Sequence, residues 1–173
     1  MGFKKILVAV DHSSQATAVF EQALELAQKN NAHLKVLHCV NPQGEGEIAP
    51  LMGTGVGLDP AGGKMVRSLQ QERLLQEKER AQHLLKSYCR QAAELGIVAE
   101  SDCKIGEPGT LICEIAKSWP ADLIVIGRRG RKGLAEIFLG SVSNRVVHNA
   151  SCSVLIVQGN VPPPSPSKEK KDL

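Results

Sequence analysis

Short, wholly apolar runs punctuate this chain, and they are consistent with parallel strands buried on both faces. Ile6-Leu-Val-Ala-Val10 and Leu123-Ile-Val-Ile126 show no alternation of polar and apolar residues. A strand of that pattern is covered on both faces, as in parallel sheets flanked by helices. Leu34–Val40 and Ser151–Val157 read as further strands. Ile97–Ile105 completes the set, and its Glu100, Ser101 and Asp102 suit a sheet edge.

Helical spacing fills the intervals. Ala16, Val19, Phe20, Ala23, Leu24 and Ala27 share one face, after Asp11-His-Ser-Ser14 has offered N-caps and before Asn30-Asn31. A long helix is predicted over Met65–Leu95, with Ala81, Leu84, Leu85, Tyr88, Ala92 and Leu95 inward, a solvated Gln70–Arg80 half and Gly96 as C-cap. Leu111, Ile112, Ile115, Ala116 and Trp119 mark a third helix ended by Pro120, and Val142, Val146 and Ala150 a fourth. Strands alternating with helices predict an α/β, Rossmann-like, doubly wound five-stranded parallel sheet with helices on both faces. Residues 1–158 form one domain with a glycine-rich loop at 41–63, and the Pro/Lys-rich 159–173 is expected to be a disordered tail.

The chemistry concentrates after the fourth strand. Gly127-Arg-Arg-Gly130-Arg-Lys-Gly133 is followed by Gly140-Ser-Val-Ser143, which opens the last helix. Glycines let backbone N–H groups approach an anion with no Cβ in the way, and a helix start supplies unpaired N–H groups. Ser141 and Ser143 add hydroxyls, while Arg128, Arg129, Arg131 and Lys132 add positive charge. Each glycine alone is an ordinary turn residue, but the composite Gly-x2-Gly-x9-Gly-Ser between strand and helix points to phosphate.

This composite resembles the nucleotide-binding signature of the ATP-binding universal stress proteins, with Gly127, Gly130, Gly140 and Ser141 in its motif positions. Lys4-Lys-Ile-Leu-Val-Ala-Val-Asp11 is similar to that family's opening strand, Gly106-Glu-Pro108 to its turn before the third helix, and Cys152-Ser-Val-Leu-Ile-Val157 to its closing strand. The resemblance spans Phe3–Gln158, although Ser151 and Ser153 stand where proline often flanks the closing-strand Cys. It implies Asp11 near the ribose or a phosphate-bound Mg²⁺, and Val40 backbone at the adenine edge. Gly127, Arg129 and Gly130 would shape the turn around the phosphates. Gly140, Ser141, Val142 and Ser143 would face phosphate oxygens. It further implies ATP (or ADP or AMP) as ligand, a homodimer through Val154–Val157, and a sheet order with the first and fourth strands adjacent. Ligands of open α/β sheets bind at such a switch point.

Composition narrows the alternatives. Net charge is +3, and the four basic residues from Arg128 to Lys132 account for it, so basicity is local. Three Phe, one Tyr and one Trp leave little to stack on nucleic-acid bases. The five cysteines form no Cys-x-x-Cys, so no zinc or dithiol site is indicated. No run is long enough for a membrane span or a secretory signal, and a cytoplasmic location is expected.

Rival motifs fail. Gly53-Thr-Gly55-Val-Gly57 follows no strand, and Gly57 to Gly63-Lys64 is one residue too long for a P-loop, with Met65 in place of Ser/Thr. His12 beside Asp11 lacks a nucleophile to serve, His38 among apolar residues reads as a packed histidine, and His33, His83 and His148 lack metal-ligand spacing. Asp11 and Ser141 each also fit a plain capping role. Three functions remain: an ATP-binding regulatory protein with at most weak ATPase activity, a nucleotide-consuming α/β enzyme, or a dimerisation module without nucleotide. Neither His-x-Gly-His nor Ser-Gly-Gly-x-Asp-Ser occurs to favour the second.

Overall fold

A computed structural model of the chain describes residues 2–42, 60–128 and 139–158, with side chains from residue 63 in the second segment. Within these the order is β1 (Lys5–Ala9), α1 (Ala16–Asn30), β2 (His33–Val40), α2 (Pro60–Glu94), β3 (Ala99–Ile105), α3 (Pro108–Ser118), β4 (Leu123–Gly127), α4 (Ser141–Asn149) and β5 (Ser153–Val157). All strand pairs are parallel in the order β3-β2-β1-β4-β5. The chain winds outward from β1 to β3, then crosses back to β4, so the order reverses between β1 and β4.

The uniformly apolar strands are central, as their pattern requires: Ile6, Leu7, Val8, Ile124 and Val125 are fully buried. Alternate residues serve two cores. Ile6, Val8, Leu34, Val36 and Val125 pack under α1 and α2 with Phe20, Ala23, Leu85 and Tyr88. On the other face Leu7, Leu37, Ile124 and Ile126 meet Ile112, Ile115 and Ala116 of α3 and Val146 of α4. Phe20 stacks on Tyr88 at 4.1 Å and joins α1 to α2.

Several boundaries moved for local reasons. The N-cap of α1 is Gln15, not a residue of Asp11–Ser14, because Asp11 Oδ1 accepts the Ser13 N–H at 2.9 Å and closes its own turn. Asn31 stops α1 in the left-handed region at φ 51°. The helix α2 begins at Pro60, so residues 60–63 of the expected loop are helical, and Gly63-Lys64 lies in a helix, not a phosphate loop. Leu95, expected inward, is 48% exposed, because Glu94 is the last helical residue. The rest of the 41–63 loop, apart from Asn41 and Pro42, and the 159–173 tail lie outside the described residues. Among the described residues no helix is long and apolar enough to cross a membrane.

Candidate functional site

Two strand ends build the site. Ala9 stands opposite Ile126, and Val10 N–H still bonds Leu37 O at 2.9 Å, so the chain leaves β1 tied to β2 and delivers Asp11 to the carboxyl end of the sheet. One Asp11 oxygen closes the turn on Ser13, while the other has no hydrogen bond among the described residues. Val40 ends β2 at the same end of the sheet, and its carbonyl accepts the Gly106 N–H at 2.9 Å.

The β4 side is organised by one carbonyl. Arg128 O accepts from Gly140 N at 3.0 Å and from Ser143 Oγ at 2.8 Å, while Arg128 N–H donates to Val157 O at 2.9 Å. The excursion between Arg128 and Gly140 therefore leaves and returns at a single point, and Gly127 is brought beside Gly140. Gly140 caps α4 with φ −61° and ψ 161° and no side-chain cap bond, and its carbonyl accepts Asn144 N–H at 2.9 Å. The first N–H groups of α4 lack a capping side chain, and the helix dipole there favours negative charge.

The two serines differ. Ser141 is exposed on the first turn. Ser143 is 2% exposed, and its hydroxyl lies within hydrogen-bond distance of the carbonyls of Arg128 and Gly140. A hydroxyl has one proton, so Ser143 would meet a ligand through its main-chain N–H. Asp11, Val40, Gly127, Gly140, Ser141, Val142 and Ser143 thus gather at the carboxyl end of the sheet, whereas Arg129, Gly130, Arg131 and Lys132 lie outside the described residues.

Other residues at this end carried no signal in their spacing. His12 Nε2 lies 3.8 Å from Glu77 of α2, and its ring packs 4.6 Å from the buried ring of His38. The turn bearing Asp11 is thereby held to α2. Glu107 caps α3 through Gly109 N–H at 3.0 Å and Thr110 N–H at 2.7 Å, and Arg145 of α4 reaches it at 3.2 Å. Burial pushes the Glu107 carboxyl up, but the bonds from Thr110 and Gly109 and the Arg145 guanidinium outweigh burial and hold it below its ordinary value. Gly109 is needed for this contact, since a Cβ there would sit 2.7 Å from Arg145 Cδ. All five cysteines are free and partly buried, and burial pushes the Cys39 thiol up to about 12. Among the described residues, no group of three His, Cys, Asp or Glu could hold a metal ion.

Comparison with known proteins agrees with this geometry. A model of the universal stress protein family matches residues 2–158. Universal stress protein Sll1388 of Synechocystis sp. is 43% identical over 162 residues, spanning 91% of this chain and 99% of that one. The fold is similar to that of universal stress protein UspA from Lactobacillus plantarum (TM-score 0.74, 26% identity, covering 91% of this chain and 99% of that one). It is also similar to a universal stress protein family protein from Arabidopsis thaliana with AMP bound (TM-score 0.59, 22% identity, covering 91% and 93%).

Proposed function

Because this chain belongs to the universal stress protein family, we propose that it is an adenine-nucleotide-binding regulatory protein that takes ATP and hydrolyses it slowly or not at all. The observation carrying this reading is the closed base of the excursion, Gly140 N to Arg128 O at 3.0 Å. It sets two glycines and the uncapped start of α4 at the topological switch point, at the same end of the sheet as Asp11. Neither Gly127 nor Gly140 has a positive φ, so the backbone does not demand glycine at either position. A glycine brings no Cβ between the backbone and an approaching anion, and a phosphate chain suits the donors at the start of α4. The AMP-bound relative from Arabidopsis thaliana supports an adenine nucleotide as the class of ligand.

In this reading the amides of Ser141, Val142 and Ser143 and the Ser141 hydroxyl meet phosphate oxygens, while Gly140, whose N–H is held by the Arg128 carbonyl, borders the phosphates without donating to them. Gly127, Arg129 and Gly130 surround the same phosphates, and Val40 backbone borders the adenine. The free oxygen of Asp11 faces the ribose or holds a Mg²⁺ carried by the nucleotide, which suits an ion that takes one carboxylate beside phosphates and water. Such an ion would neutralise phosphate charge.

Dimerisation belongs to the same proposal. Val157 O accepts from Arg128 N, so the backbone groups of Val154 and Ile156 point away from β4, along an edge that no other described strand pairs with. A second copy pairing there would satisfy both edges about a two-fold axis. Calorimetric titration with ATP tests the nucleotide assignment. Gly140→Val should abolish binding with the circular dichroism spectrum intact, and unchanged affinity in that variant overturns the reading.

A further inference from the structure

The other edge of the sheet, β3, is built differently. Val98 O accepts from Leu34 N and Gly106 N donates to Val40 O, both at 2.9 Å. Strand residues alternate in the side to which their backbone groups point. Residues 98, 100, 102, 104 and 106 therefore bond β2, and Ala99, Ser101, Cys103 and Ile105 hold N–H and C=O groups outward. Val98 and Ile105, at the two ends of this edge, are 63% and 50% exposed.

Edge strands are commonly protected by charge, but the charges of β3 are paired among themselves and with β2. Glu100 bonds Lys35 at 3.4 Å, and Asp102 bonds Lys104 at 3.2 Å. Alongside the edge, α2 leaves a groove of about 390 Å³, with Lys78, Gln82, Leu85 and Lys86 on the helix side and Ser101, Asp102 (its carboxylate paired with Lys104) and Cys103 on the strand side. Lys78 and Lys86 have no ion-pair partner among the described residues. Two lysines thus line a groove beside an edge whose outward backbone groups have no partner among the described residues.

We propose that β3 and α2 form a docking groove for an extended, acidic segment of a partner protein, which joins the sheet as a sixth strand and sets carboxylates on Lys78 and Lys86. The spacing agrees. Eight helical residues separate the lysines by about 12 Å, and strand residues four apart on one face are about 13 Å apart. Acidic residues at i and i+4 of the incoming strand therefore reach both lysines, while Leu85 and Cys103 accept a small apolar residue between them. A second copy of this chain is the poorer occupant. Antiparallel pairing of β3 with itself places both α2 helices on the same face of the joint sheet, with the lysine rows toward each other and repelling.

The test uses the full chain, ¹⁵N-labelled, and a short blocked peptide of Thr and Val with Glu at two positions four residues apart. Amides of Ala99, Ser101, Cys103 and Ile105 should shift and gain exchange protection, with affinity falling at least about tenfold from low to high salt. Lys78→Glu with Lys86→Glu should abolish this binding and confer binding of the same peptide with Lys in place of Glu. Ser101→Pro removes an outward donor and leaves the β2 ladder intact, so the variant should fold and lose the peptide. Absence of shifts at those four amides overturns the proposal, as does undiminished affinity in either variant. Dissociation of a wild-type oligomer by Ser101→Pro would assign the edge to a second copy and overturn it as well.

Discussion

Ser143→Ala and Ser141→Ala should separate stability from binding. The Ser143 hydroxyl is buried and 2.8 Å from the carbonyl of Arg128. Its loss removes one hydrogen bond but orphans nothing, since Gly140 N still donates to that carbonyl at 3.0 Å. The expected cost is therefore that of a single neutral bond, about 1 kcal/mol, or a fall in Tm of about 2–4 °C for a domain of this size. Ser141 is exposed, so Ser141→Ala should change stability by less than about 0.5 kcal/mol. If its hydroxyl donates to a phosphate oxygen, its loss removes a charge-assisted bond of about 1.5–3 kcal/mol, or about 10- to 100-fold in ATP affinity. Urea denaturation gives the first quantity and calorimetric titration the second. A Ser143→Ala protein of wild-type stability but with a larger loss of affinity than Ser141→Ala would refute this division of labour.

Three further outcomes are expected. Glu107→Gln should destabilise the fold by about 1 kcal/mol at neutral pH, as a weakened N-cap. Because the folded carboxyl is held below its ordinary value, that difference should be complete above the unfolded pKa and vanish as pH falls through the folded one, which urea melts at a series of pH values would show. Steady-state ATP turnover should stay well below about 1 per second, and a faster rate in a phosphate-release assay would mean that a catalytic group has been overlooked. Ile156→Pro deletes a donor pointing away from β4, so sedimentation should show a monomer where the wild type is a dimer, and an unchanged dimer would place the interface elsewhere.

Much of the molecule is decided within short stretches of chain. Ile6–Val10 and Leu123–Ile126 are apolar on both faces, as suits a parallel strand covered by helices, and Gly140-Ser141 after an apolar strand marks a helix start. Such features depend on neighbours in sequence, so the residues suffice to reveal them. The β1–β4 adjacency was an expectation from resemblance, and the strand pairing establishes it. Contacts between segments distant in sequence needed the tertiary structure. The two serines of Gly140-Ser-Val-Ser143 are alike on paper, but a carbonyl fifteen residues earlier draws one hydroxyl inward. Glu77 meets His12 only because α2 lies against the turn after β1, and no spacing encodes that. Asp11 closes on Ser13 instead of capping α1, a choice between two local bonds that composition leaves open. Local sequence sets which groups are available; the packing of helices on the sheet decides which remain free for a ligand.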